Sequence, residues 1–143
     1  MEEQLGKKLI CAVDGSEQSD IAVALATDMA KAMDGELILL TVNELIGGVG
    51  RAGAATYMWE NAELQKILNA AADLATSAGF AHPKTVSLKS RDVARAISMY
   101  AEEIGADHIV VGSGGKGAVA RLMIGSVSRD VVFRAHCPVT VAR

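Results

Sequence analysis

Aromatic residues are scarce in this chain, and basic residues do not outnumber acidic ones. Of its 143 residues one is Trp, two are Tyr and two are Phe, and 14 Lys and Arg stand against 17 Asp and Glu, a net charge of −3. A nucleic-acid-binding surface needs a basic excess and, for single strands, aromatic side chains on which bases stack. The composition therefore argues against a nucleic-acid partner.

Cysteine is nearly absent, and so are long apolar runs. Cys11 lies in an apolar segment and Cys137 precedes a proline, without C-x-x-C spacing, while His82, His108 and His136 are scattered. No run approaches the roughly 20 apolar residues that span a membrane, and the start, MEEQLGKK, lacks an apolar signal region. We expect free thiols, no histidine metal site, no membrane insertion and a cytoplasmic location.

The chain does contain an alternation of short aliphatic runs with helical periodicity, and half of its residues are hydrophobic. The predicted strands are LICAVD (9–14), ELILLTV (36–42), KTVSLK (84–89), DHIVVG (107–112) and PVTVA (138–142). Four stretches between them carry apolar residues at helical spacing, and such alternation favours βαβ units and a parallel sheet. We predict one α/β domain over residues 1–143, a doubly wound, Rossmann-like sheet of five parallel strands with four helices.

Two loops after predicted strands carry the chemistry. Asp14-Gly15-Ser16 follows the first strand, and the glycine-rich stretch GSGGKGAVARLMIGS (112–126) follows the fourth. Ligands of open α/β sheets bind at the carboxyl ends of the strands. Asp-Gly alone is typical of a turn, but a carboxylate that accepts from ribose hydroxyls or holds a metal complements glycine amides that bind phosphate. Together the two loops predict a nucleotide site.

Two common phosphate-loop patterns do not describe the glycine-rich stretch. A Walker A loop needs Ser or Thr after its Gly-Lys, but Gly115 and Lys116 are followed by Gly117. The pattern G-x-G-x-x-G matches at Gly112, Gly114 and Gly117, yet a dinucleotide fingerprint belongs after the first strand and needs a later acidic residue. We interpret that match as accidental.

A third pattern fits: Gly112-x-x-Gly115, nine residues, then Gly125-Ser126. It offers two anion contacts, the amides of the glycine turn and those at the start of the last helix, which Ser126 can cap. This spacing, the strand end at Asp14, the element order and the closing CPVTV resemble the ATP-binding branch of the universal stress protein family over essentially the whole chain.

The resemblance implies an ATP site with magnesium or manganese. It places Asp14 at the ribose, where the carboxylate would meet the metal only indirectly, through ATP, and it places Ala12 and the backbone of Val42 at adenine. Around the phosphates it implies Gly112, Gly115, Gly125 and Ser126, with Val127 and Ser128 close behind. Val111 and Lys116 are further candidates for binding the cofactor, and the position of Lys116 varies in the family. The alternative for Lys116 and Arg121 is a solvated loop face.

The same resemblance implies the sheet order 3-2-1-4-5 and a homodimer. The residues favour that order independently, because Asp14 and the glycine loop share one ligand most easily when strands one and four are neighbours. Residues 138–142 would then form an edge strand, with only Pro138 before and Arg143 after VTV to discourage pairing. The alternative is a monomer with a solvated edge.

Two features lie outside the pattern. In KSRDVARAI, Arg91 stands where the family usually has a glycine before the acidic residue that opens the third helix, which puts the geometry of that turn in question. The loop NELIGGVGRAGAAT (43–56) is unusually long and rich in glycine. Its interpretation is either a flexible connection or a movable flap over the ligand.

Phosphoryl transfer needs a metal clamp, a neutralising cation and a group that orients the nucleophile. Only Asp14, Lys116 and Arg121 are near candidates. We therefore expect an ATP-binding stress-response or regulatory protein, not an enzyme, whose bound state is read by an unidentified protein partner. The alternatives are a slow ATPase or phosphotransferase and a nucleotide-sensing regulatory subunit of a transporter.

Overall fold

Strands and helices alternate along the chain as predicted. The computed structural model describes residues 6–47, 55–114 and 125–143. Its strands are β1 (Lys8–Ala12), β2 (Glu36–Gly47), β3 (Thr56–Tyr57), β4 (Lys84–Ser90), β5 (His108–Gly112) and β6 (Val139–Ala142). Within these ranges the helices are α1 (Glu17–Met33), α2 (Asn61–Ser77), α3 (Val93–Ile104) and α4 (Ser126–Arg134).

Five parallel strands form the sheet in the order β4-β2-β1-β5-β6. This confirms the predicted order 3-2-1-4-5, with the reversal between β1 and β5. The predicted number of strands was one too low, because β3 adds a short antiparallel strand beside the end of β2.

The helices begin and end where local chemistry satisfies their backbone groups. Ser16 caps α1 by accepting from the N–H of Ser19, and Asp92 caps α3 by accepting from the N–H of Arg95. Gly105 ends α3 in the left-handed conformation, with φ of 69°. At the end of α1, Asp34 takes that conformation, and Gly35 is needed for space, because a Cβ there would lie 2.8 Å from the Lys7 carbonyl oxygen.

Each face of the sheet has its own core. Side chains such as Leu9, Cys11 and Leu39 pack under α1 and α2, and Ile10, Leu40 and Ile109 pack under α3 and α4. Burial raises the pKa of the Cys11 thiol, and both cysteines are free as predicted. In the described part of the chain no helix is long and apolar enough to cross a membrane.

The predicted loop over residues 43–56 was wrong at both ends, because residues 43–47 belong to β2 and Thr56 belongs to β3. β1 ends at Ala12, opposite Leu40, whereas β2 pairs with β4 as far as Glu44 and continues to Gly47. The edge of β2 that β1 leaves open is taken by β3, and the N–H of Met58 donates to the Glu44 carbonyl oxygen at 2.8 Å. Residues 48–54 lie outside the described ranges, so the choice between flexible connection and flap stays open.

Candidate functional site

A pocket of about 360 Å³ opens at the carboxyl ends of β1, β2 and β5, beside the reversal of strand order. This is the place where open α/β sheets bind their ligands. Its lining includes the following predicted residues: Ala12, Asp14, Val42, Val111, Gly112, Gly125, Ser126, Val127 and Ser128. All the predicted site residues that the structure describes therefore share one pocket. Gly115 and Lys116, like Arg121, lie outside the described residues.

The turn after β1 holds Asp14 at the pocket through its own hydrogen bonds. Asp14 Oδ1 accepts from the backbone N–H of Ser16 at 3.0 Å and from its hydroxyl at 2.6 Å. The Asp14 N–H donates to the Ser19 hydroxyl at 3.2 Å, and Gly15 has φ of 83°. The carboxylate remains exposed. Asp14 is therefore both a turn-forming residue and a pocket group, and the two interpretations of its Asp-Gly pair are compatible.

Glycines bring the end of β5 against the start of α4. A Cβ on Gly114, whose φ is 76°, would lie 3.3 Å from the Gly125 Cα, and a Cβ on Gly125 would lie 3.0 Å from the Ser113 carbonyl oxygen. The N–H of Gly125 donates to that same oxygen. Side chains at these positions would collide with the facing backbone and push the end of β5 away from the start of α4.

Gly112 has a second reason to be glycine that the sequence did not reveal. A Cβ there would meet the Gln18 carbonyl oxygen at 2.7 Å, so α1 packs directly on the backbone of β5 at this point. The hydroxyl of Ser128 donates to the Gly112 carbonyl oxygen, which ties α4 to the same place. Gly112 thus fixes two helices at the pocket.

The helix start of α4 differs from the prediction in one detail. Gly125 is the N-cap and Ser126 is the first helical residue, so Ser126 does not cap the helix. No side chain of the described residues caps this end. The first N–H groups of a helix have no intrahelical partner and carry a partial positive charge, which suits an anion.

The other end of the pocket is largely apolar. Leu40 and Val42 of β2 and Ile97 of α3 form its floor, and Met58 and Trp59 form a wall beyond the sheet, with Glu44 beside them. Sequence reasoning missed this wall, because the predicted loop stopped at residue 56 and no element was predicted at Met58 and Trp59. Two signals were available: the apolar residues that continue after Asn43, and the single Trp of the chain.

The turn at Arg91 forms without a glycine. The Ser90 hydroxyl accepts from the N–H of Asp92 and donates to the Asp92 carbonyl oxygen, both at 3.0 Å. Within the described ranges Asp34 is the only non-glycine residue with positive φ, so Arg91 has an ordinary backbone. The departure from the family pattern therefore leaves the pocket intact.

Comparison with known proteins gives a consistent result. The universal stress protein family matches residues 6–143. A putative universal stress protein of Staphylococcus aureus (strain USA300) is 32% identical over 151 residues, covering 96% of this chain and 84% of that protein. A solved universal stress protein in complex with cAMP is 26% identical, with a TM-score of 0.73 and 98% of both chains covered. The universal stress protein from Archaeoglobus fulgidus in complex with dAMP also has a TM-score of 0.73, over 98% of this chain and 100% of that one; at 21% identity it shows the fold alone.

Proposed function

This chain belongs to the universal stress protein family, and we propose that it binds ATP in the pocket above β1 and β5 as a nucleotide-dependent stress-response or regulatory protein. One observation carries the proposal: a single pocket has an exposed carboxylate, bare glycine backbone and an uncapped helix start at one end, and an apolar slot at the other. A nucleotide has this same division between sugar-phosphate and base.

The residues present fit such a ligand group by group. Asp14 can accept from ribose hydroxyls, since its carboxylate is exposed beside the small residue Ala12. The amides at Gly114 and at the start of α4 suit phosphate oxygens. The apolar slot suits a planar base, and the volume of about 360 Å³ lies within the usual range of small-ligand sites, roughly 300 to 1,000 Å³. The relative that was solved with cAMP supports an adenine nucleotide.

The preference for ATP over a monophosphate rests on the spacing of the glycines. Gly112-x-x-Gly115 and Gly125-Ser126 supply two separate anion contacts from one chain segment, and a monophosphate needs only one. Magnesium or manganese would arrive with the phosphates. No group of three or more His, Cys, Asp and Glu that could hold a metal occurs among the residues the structure describes, so Asp14 would meet the ion only through ATP.

We further propose that the chain is not an enzyme. The carboxylates of the described pocket lining are Asp14 and Glu44, and Asp14 already accepts two hydrogen bonds from Ser16. Glu44 lies on β2, where its carbonyl oxygen accepts from the Met58 N–H, whereas the glycine backbone lies at the end of β5, with β1 between the two strands. Neither is placed to orient a water molecule against a terminal phosphate. Hydrolysis would be slow and incidental.

Purified protein supplied with magnesium and ATP is therefore expected to release phosphate far more slowly than a typical enzyme, which turns over about 10 times per second. Steady-state phosphate release is the measurement. Asp14→Asn is the control, because an amide oxygen can still accept from Ser16 and any contaminating ATPase would be unaffected. Turnover near the enzyme rate that disappears in this variant would show that the chain is an ATPase after all.

The proposal includes a homodimer through β6. The two sheet edges differ: β4 carries Lys84 and Lys89, whereas Val139–Ala142 carries no charge. Lysines discourage edge pairing, and an uncharged edge strand invites it. On the neighbouring helix α4, Phe133 is 79% exposed and Val132 46%. A second copy related by a two-fold axis would pair with the open edge and cover such apolar surface.

A regulatory role requires a protein partner that reads the bound state, and the partner is unidentified. The proposal places the protein in the cytoplasm, which the free thiols of Cys11 and Cys137 fit. Capture experiments with and without ATP are the direct way to find the partner.

A further inference from the structure

The side chain of Asn43 binds the backbone of Trp59 at two points. Asn43 Nδ2 donates to the Trp59 carbonyl oxygen, and the Trp59 N–H donates to Asn43 Oδ1, both at 2.9 Å. Asn43 is only 2% exposed. The Asn43 amide therefore satisfies both backbone hydrogen-bonding groups of Trp59, as a neighbouring strand would.

This contact lies where the chain crosses the end of the sheet. β3 pairs with β2 at Leu45 and Tyr57, and the Met58 N–H binds the Glu44 carbonyl oxygen. After Trp59, Glu60 and Glu63 form a capping box that starts α2. Trp59 thus connects β3, which is hydrogen-bonded to β2, with the capped start of α2. Asn43 holds the backbone of this connection in place.

The fixed segment is a wall of the pocket. Met58 and Trp59 line it together with Ile97 of α3 and with Leu40 and Val42 of β2. Trp59 is half-buried and Met58 is 49% exposed, so no close-packed core holds their backbone in place. Without the Asn43 amide, two backbone groups of Trp59 would lose their partners, and a partner lost from a buried site is costly.

We propose that Asn43 is a positioning residue for recognition of the nucleobase: by holding the Trp59 backbone it keeps Met58 and Trp59 as one side of a slot for a planar base. The inference rests on the proposed nucleotide site. It adds that affinity for the base depends on the Asn43 side chain, whose polar atoms bind Trp59, whereas affinity for phosphate does not.

The test compares two probes, ATP and inorganic tripolyphosphate, on Asn43→Ala and on a matched control. The control is Thr41→Val, since Thr41 lies two residues earlier on the same strand face, is 1% exposed and has a hydroxyl without a hydrogen-bond partner in the structure. In Asn43→Ala the affinity for ATP is expected to fall at least about tenfold while that for tripolyphosphate changes less than about twofold. In Thr41→Val both affinities should stay unchanged.

Trp59 supplies a second measurement that needs no nucleotide, because it is the only Trp of the chain. Quenching of its fluorescence by acrylamide should increase in Asn43→Ala and not in Thr41→Val. If Asn43→Ala does not fold, Asn43→Ser keeps a polar side chain in the buried site but is too short to bond both backbone groups of Trp59, and a change in the same direction is expected.

The outcomes separate the two proposals. Failure of the unaltered protein to bind ATP contradicts the nucleotide site, and the quenching measurement still decides whether Asn43 fixes Trp59. Unchanged quenching in the folded Asn43 variants overturns the positioning role. An equal loss of ATP and tripolyphosphate affinity also overturns it, because that result would mean general disruption of the pocket.

Discussion

Gly125→Val is expected to abolish ATP binding, with a loss of about a hundredfold or more in affinity. Gly125 has φ of −63°, which any residue can adopt, so the glycine is required by space and not by conformation. A Cβ would lie 3.0 Å from the Ser113 carbonyl oxygen and 3.2 Å from the Gly114 Cα. Both neighbours are backbone, so they can yield only if the end of β5 moves away from the start of α4.

Gly47→Val is the matched control, because a Cβ at Gly47 meets nothing within 4 Å and the residue does not line the pocket. Ser126→Ala should have an intermediate effect, since loss of one charge-assisted hydrogen bond costs roughly ten- to a hundredfold in affinity. Calorimetric titration with ATP measures all three. If folded Gly125→Val bound ATP with full affinity, the start of α4 would not be part of the ATP-binding site.

Val141→Pro is expected to abolish the proposed homodimer, so that the mass measured by light scattering is half that of the unaltered protein. The Ile109 N–H donates to the Pro138 carbonyl oxygen at 3.0 Å. Backbone groups alternate in direction along a strand, so those of Thr140 face β5 and those of Val139 and Val141 face the open edge. Proline at Val141 therefore removes a donor from the dimer interface but no hydrogen bond within the subunit.

Val141→Thr serves as the control, because it keeps the N–H and a β-branched side chain and should remain a dimer. If the unaltered protein is monomeric at high micromolar concentration, edge pairing through β6 is wrong. A Val141→Pro variant that stays dimeric while folded would move the interface to another surface, such as the exposed Phe133 on α4.

The sheet could be predicted from sequence because its pattern is local and repeated. Leu9–Cys11 and Ile109–Val111 are buried on both faces, so they appear as continuous aliphatic runs. Strand order is not local. The family resemblance implied it, and the requirement that Asp14 and the glycine loop share one ligand favoured it independently. β3 was missed because two residues carry no periodicity.

The glycine-rich end of the pocket could be predicted, because glycine and serine spacing reports backbone geometry directly. At the apolar end, Ala12 and Val42 were predicted from the family resemblance, but the contact between Asn43 and Trp59 was not, since these residues are 16 apart and their contact depends on where β1 stops relative to β2. No pattern in the segment NELI (43–46) predicts that the Asn43 amide will bind the backbone of Trp59. At Gly112 the sequence indicated only part of the reason for the glycine. The sequence pattern predicted a role in binding phosphate, whereas the close approach of the Gln18 backbone is visible only in the structure.

In the proposed function, the glycine backbone and the start of α4 bind phosphate, while the slot lined by Val42 and Trp59 binds the base. Calorimetric titration of the unaltered protein with ATP and with adenosine, in the presence of magnesium, tests it most directly. ATP is expected to bind far more tightly than adenosine, because only ATP reaches both anion contacts. Equal affinities for the two ligands would contradict the phosphate site and with it the proposed function.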